Sequence, residues 1–247
     1  MKVFLKVSQV EFKLLLRSFV TIFFSLVFPP MLVILFGSVY GNEPGTFFGN
    51  RGALDTMLPG YLSISICVIG LMNLPISISQ YRQRKILKRY KATPLSPWTI
   101  LVGQLLGSIL LLLVSVVLVL LIASLFYNYS MDGSVGLFIL TFVFTTINLF
   151  SIGFLIAAVA RTEKGANLIA NFIYFPMIFL SGSTFPAEMF PEKMLKVTRI
   201  LPLTHGIALM KGVSFGEPFW SFGTELTVMA VWTAVCCIVA VRTFSWE

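Results

Sequence analysis

Histidine is nearly absent from this chain, and carboxylates are scarce. His205 is the one imidazole in 247 residues, and ten acidic residues face eighteen lysines and arginines. A single imidazole cannot build a multi-histidine metal site. The three cysteines, Cys67, Cys236 and Cys237, fall in apolar runs without metal-ligand spacing, the pattern of small buried hydrophobes. The phosphate-binding pattern G-x-x-x-x-G-K-[ST] does not occur, so this chain does not hydrolyse ATP by that loop. None of the acids sits firmly inside an apolar run, which argues against the intramembrane coupling site of a proton- or sodium-driven carrier. Charge of any sign is rare: 11% of residues, with 57% hydrophobic, against roughly a quarter charged in a soluble domain. So little polar surface reads as an integral membrane protein. The net charge of +8 then belongs to membrane-flanking clusters and not to nucleic-acid binding.

What is present is a set of long charge-free windows. A charge at the bilayer centre costs about 2.5–3.5 kcal/mol on the insertion scale, so such gaps locate spans. The gaps predict six transmembrane helices near Phe19–Tyr40, Met57–Ser79, Thr99–Tyr127, Val135–Ala160, Gly165–Thr184 and Glu225–Val241. Helices satisfy their own backbone in lipid, where open strands cannot. With the N-terminus inside, thirteen of the eighteen basic residues fall on the inner side and five on the outer. That asymmetry places both termini in the cytoplasm. Met1–Ser18 carries Val3, Val7, Val10 and Leu14 at helical spacing beside Lys2, Lys6, Lys13 and Arg17, the pattern of an interfacial amphipathic helix. Pro29-Pro30, Pro75 and Pro176 should kink or break spans one, two and five. The connection Phe185–Thr224 is too long to be structureless and is expected to hold short re-entrant helices at the outer leaflet.

Polar side chains within the spans have two readings, interhelical hydrogen bonding and the lining of a substrate path. Asn73, Asn148, Asn167 and Asn171 are the amides concerned. Asn167 and Asn171, four apart, share one helix face. Phe28 and Phe175 are candidates for an apolar part of the same path. Gly37 with Gly41, and Gly103 with Gly107, have the G-x-x-x-G spacing of close helix approach. Gln80–Pro97, QYRQRKILKRYKATPLSP, stands apart from all of these. It holds Arg82, Arg84, Lys85, Lys88, Arg89 and Lys91, no acid, and ends in a Thr93-Pro94-Leu95-Ser96-Pro97 turn.

This basic segment and its turn, the six-span frame and the outer Phe185-Pro186-Ala187 and Leu201-Pro202-Leu203-Thr204 stretches resemble the ABC-2 type transporter permeases over nearly the whole chain. Where relatives often carry an acid in the first turn of the basic segment, this sequence has Gln83. The resemblance implies an all-α membrane protein: one transmembrane domain over residues 1–247 with an interfacial helix, a cytoplasmic coupling helix and the outer connection. It implies the membrane subunit of an exporter in a bacterial plasma membrane, working with a second permease subunit as homodimer or heterodimer. Two copies of a cytoplasmic ABC ATPase would carry ATP and magnesium, with no cofactor held by this chain. Arg82, Gln83, Arg84, Lys85, Lys88, Arg89, Thr93 and Pro94 would then couple to the ATPase. The expected substrate is hydrophobic or amphipathic, with a polysaccharide or glycolipid as the alternative. A scaffold or channel without ATP coupling is the reading from a different class.

Overall fold

The computed structural model describes residues 2–45, 48, 51–85, 97–185 and 190–244, and among these the architecture is helical. Helix α1 is Lys2–Arg17. Among the described residues five helices are long and apolar enough to cross a membrane: α2 (Phe19–Tyr40), α3 (Ala53–Gln83), α4 (Pro97–Tyr127, apolar from Leu101), α5 (Val135–Val159) and a last one entered through a 3₁₀ turn, Phe219–Thr243. A further helix, α6 (Glu163–Leu180), forms where the fifth span is expected. Its 18 residues rise only about 27 Å, short of a hydrocarbon core of roughly 30 Å. Glu163, Lys164, Asn167 and Asn171 also reduce its apolarity, so six charge-free windows yield five helices of spanning character. Two shorter helices, α7 (Glu192–Thr198) and α8 (Pro202–Ser214), occupy the connection before the last helix, α9 (Gly223–Thr243).

The helix α3 is the hub. Its most apolar stretch is 78% buried, against 33% for α2 and 17% for the last span. It packs against α2, α4, α5, α6 and α8, which is why it shows no one-sided apolar stripe. Close approach to α5 comes from two glycines that no local motif announces. A Cβ on Gly153 would stand 2.0 Å from the Gly70 carbonyl oxygen, and one on Gly70 would strike the Phe150 ring. Gly37 does pack closely, against Tyr127 of α4, whereas Gly41 ends α2 with a φ of +66°.

The expected proline distortions of spans one and two take a specific form. Each is a π-helical turn immediately upstream of the proline: Phe23–Val27 before Pro29, and Val68–Asn73 before Pro75. Proline has no N–H to return to the carbonyl four residues back. For Pro29 that carbonyl is Ser25's, and it accepts instead from the hydroxyls of Ser65 (3.3 Å) and Ser115 on neighbouring helices. The two π turns abut, and the Asn73 amide donates at 2.6 Å to Oγ1 of Thr21, just ahead of the first turn.

Candidate functional site

Two features share the end of the bundle where α2 begins and α3 and α5 end. We call it the basic end, for Arg17, Arg82, Arg84, Lys85, Arg161, Lys164 and Arg242. The first feature is a junction. The helix α3 continues through Gln83, and the chain then turns at Arg84 and Lys85, where Lys85 has a φ of 56°. The front of the basic segment is therefore the last turn of the hub helix, not a separate element. Arg82 is only 8% exposed. Its Nη1 donates to the carbonyls of Ala157 (3.0 Å) and Ala160 (3.1 Å), among the orphan acceptors that end α5. Ser79 adds a hydroxyl to Ala160, and the Phe244 ring lies 4.9 Å from the guanidinium carbon.

The start of α6 is tied to the same turn. Thr162 caps it locally by accepting from the Gly165 N–H, and Gln83 Oε1 accepts from the Glu163 N–H at 2.9 Å. Glu163 Oε2 accepts from Gln80 Nε2 at 3.2 Å. Gln83 thus caps a helix, which rationalises an amide at a position where an acid would face Glu163. The basic segment is bolted to the α5–α6 corner by one arginine and two glutamines. Arg84 and Lys85 are exposed beside it. Ile86–Ser96 lies outside the described residues, and with it Lys88, Arg89, Thr93 and Pro94.

The second feature is a cleft between α2, α3 and α6. Its basic-end part, about 530 Å³, is lined by Ser18, Thr21, Asn73, Ser77, Gln80, Arg84, Glu163 and Asn167 with Leu14, Phe24 and Met72. A further part, about 300 Å³, shares Val20, Phe24, Met72 and Asn167 and continues along Phe28, Asn171, Tyr174, Phe175, Phe179 and Thr184. The lining therefore grades from charged, through amide and hydroxyl, to aromatic. One wall is a hydrogen-bonded chain: Ser77 donates to Asn73, Asn73 to Thr21, and Thr21 to Ser18. The facing wall is the Asn171–Asn167 pair on α6, with Phe175 and Phe179 stacked at 6.4 Å beyond it.

Five of the six side chains proposed from sequence as a path, Asn73, Asn167, Asn171, Phe28 and Phe175, thus line one cleft. Asn148 does not. It is fully buried and donates to the Met229 carbonyl (2.8 Å) and to Thr233 (2.9 Å), joining α5 to α9. His205 donates through Nε2 to the Arg199 carbonyl at 2.8 Å, fixing α7 to α8. Arg82 faces the interior, so among the described residues of the basic segment Arg84 and Lys85 are the exposed cations. Sequence reading passed over Glu163 and Gln80. The available signal was the Thr162-Glu163 helix start, with glutamines three apart at the end of α3. Among the described residues no three His, Cys, Asp or Glu side chains gather to hold a metal.

Comparison with known proteins supplies the remaining constraint. ABC transporter G family member 20 of Dictyostelium discoideum is 28% identical over 207 residues, 82% of this chain and 26% of that protein. The probable multidrug ABC transporter permease YbhR of Escherichia coli (strain K12) is 28% identical over 149 residues, 60% of this chain and 40% of that protein. Nodulation protein J of Rhizobium meliloti (strain 1021) is 31% identical over 94 residues, 38% of this chain and 34% of that protein. The chain thus spans between a quarter and two fifths of the length of these relatives. The profile of the family described as ABC-2 type transporter matches residues 3–215, from α1 through α8. The chain belongs to the ABC-2 type transporter family.

Proposed function

We propose that this chain is the membrane subunit of an ATP-driven exporter that moves a hydrophobic or amphipathic substrate, powered by a separate ATPase. The observation that carries the reading is the union of the two features above. The graded cleft ends at Arg84 and Glu163, and the same residues belong to the junction that binds the basic segment to α3, α5 and α6. Movement imposed on the basic segment is therefore delivered to both walls of the cleft.

In this reading α6 serves as the fifth of six spans, α1 lies in the inner interface and α7–α8 rest in the outer leaflet. Both ends of the chain face the cytoplasm of a bacterial cell. Gln80–Pro97 presents Arg84, Lys85, Lys88 and Arg89 to an acidic groove of the ATPase, with Thr93 and Pro94 shaping its exit, while Arg82 holds its root. Two permease copies and two ATPases complete the transporter, ATP and magnesium staying on the ATPases. The amide ladder beside stacked phenylalanines also suits a glycolipid, whose sugar and chain would meet these two zones in turn.

The test is co-expression with candidate ABC ATPases, followed by co-purification and measurement of vanadate-sensitive ATP hydrolysis in lipid. Reversing the charge of Arg84, Lys85 and Lys88 together should abolish co-purification while leaving the protein folded. An unaffected partnership, or solute movement without any ATPase, would overturn the coupling role.

A further inference from the structure

We propose that a glycerophospholipid acyl chain is a resident ligand of the groove between α4 and α5, in the leaflet away from the basic end. Consecutive antiparallel helices joined by a short turn ordinarily pack side by side. Here the connection is only residues 128–134, yet α4 and α5 scarcely touch. The helix α4 packs on α1, α2 and α3, and α5 packs on α3, α8 and α9, so the two splay and leave a wedge. The resulting groove is about 620 Å³ and runs from Ile109 to Ser124 on α4 and from Ile147 back to Val135 on α5. Leu112, Phe138 and Phe142 form its buried floor, and Tyr129 and Met131 close its far end.

Dimensions and lining decide the occupant. The fifteen steps from Ile109 to Ser124 on α4, at 1.5 Å each, give a length of about 22 Å, more than one leaflet's half of a roughly 30 Å core. The rival occupant, a protein helix, would want glycine, alanine or serine at the contact. The walls are leucine, isoleucine, valine and phenylalanine, with Ser124 and Thr146 the small or hydroxylated exceptions. A single flexible methylene chain has the needed width, length and chemistry. The groove opens at the same depth as the exposed Leu113, Ile139, Val143 and Ile147, on surface that bilayer lipid already covers. The ligand is therefore supplied laterally and needs no entry path. The inference is independent of ATPase coupling, since it uses only the membrane setting and the splay of two helices.

The experiment places the protein in nanodiscs of phosphatidylethanolamine and phosphatidylglycerol. A small fraction of the phosphatidylethanolamine carries a diazirine near its acyl terminus. Peptides are mapped after illumination. The chain leaves hydrocarbon, not water, so its preference for the groove comes from packing contacts alone, and label per exposed residue in 109–124 and 135–147 should exceed that on the last span several-fold. Val116→Trp with Val143→Phe, which fills the groove, should return it to the level of the last span. Val117→Trp, on the exposed face of α4 outside the groove, should not. Uniform labelling of all apolar faces would overturn the proposal, as would labelling that survives filling of the groove. Displacement of the lipid label by a hydrophobic transport substrate at low occupancy would do the same, by reassigning the groove to cargo.

Discussion

Ser25 offers its carbonyl to two hydroxyls because Pro29 offers it no N–H. Removing either Ser65 or Ser115 leaves one donor in place, so each alanine variant should cost only a few tenths of a kcal/mol. The double variant, which orphans the carbonyl, should cost about 1–2 kcal/mol. A double-mutant cycle of unfolding in detergent reads this directly, and simple additivity would contradict the shared-acceptor arrangement. Arg82→Ala strips two charge-assisted bonds from the end of α5 and should lower stability by about 1.5–3 kcal/mol. Arg82→Lys, with a point charge in place of a planar fork, should recover part of that loss. At the opposite end, burial and the Asp55 carboxylate push the Tyr129 phenol from its usual 10 up to about 12. A phenol whose folded-state pKa is raised contributes stability fully present below pH 10 and lost as pH rises toward 12. Unfolding followed from pH 9 to 12 should show that decline, and Tyr129→Phe should flatten it.

At the scale of elements, the charge-free windows revealed the helices because ionic desolvation is large compared with any local propensity. Their bounds moved where the physics was not about charge. The expected Met57–Ser79 became Ala53–Gln83 because Gln80, Arg82 and Gln83 find partners on α5 and α6, 75 to 83 residues away. Nothing near Arg82 in sequence distinguishes it from Arg84, since burial is decided by those distant carbonyls. Amides in spans were legible as polar groups requiring partners, but helix rotation decided that Asn167 faces the cleft and Asn148 faces α9. The close α3–α5 contact at Gly70 and Gly153 was likewise invisible, because the pairing glycine stands on another helix. Gly153→Ala should therefore destabilise by about 1–3 kcal/mol. Gly223→Ala, where an added Cβ would meet nothing within 4 Å, should be neutral or slightly stabilising. Thermal unfolding of the two variants side by side checks the contrast.

For the whole molecule, the proposed function makes the cleft and the basic junction one mechanical object, and on that proposal substitutions in the cleft should alter selection without altering assembly. Asn167 is exposed and bonded within its own helix, so Asn167→Leu should change transport of an amphipathic substrate roughly tenfold, the value of one or two hydrogen bonds. ATPase co-purification should stay as it was, and its loss would show that the residue holds the subunit together instead. Where α3 moves as one body, its π turn included, the Gly70–Gly153 contact is its pivot. Backbone touching backbone there acts as a fulcrum, with Arg84 about 21 Å to one side and Gly60 about 15 Å to the other. Gly60 rests on the Gly182–Ser183 backbone, next to Thr184 at the far rim of the cleft. A tilt that draws the basic end of α3 away from α6 must swing its other arm toward that rim, so one stroke at Arg84 relaxes one mouth of the cleft and presses on the other.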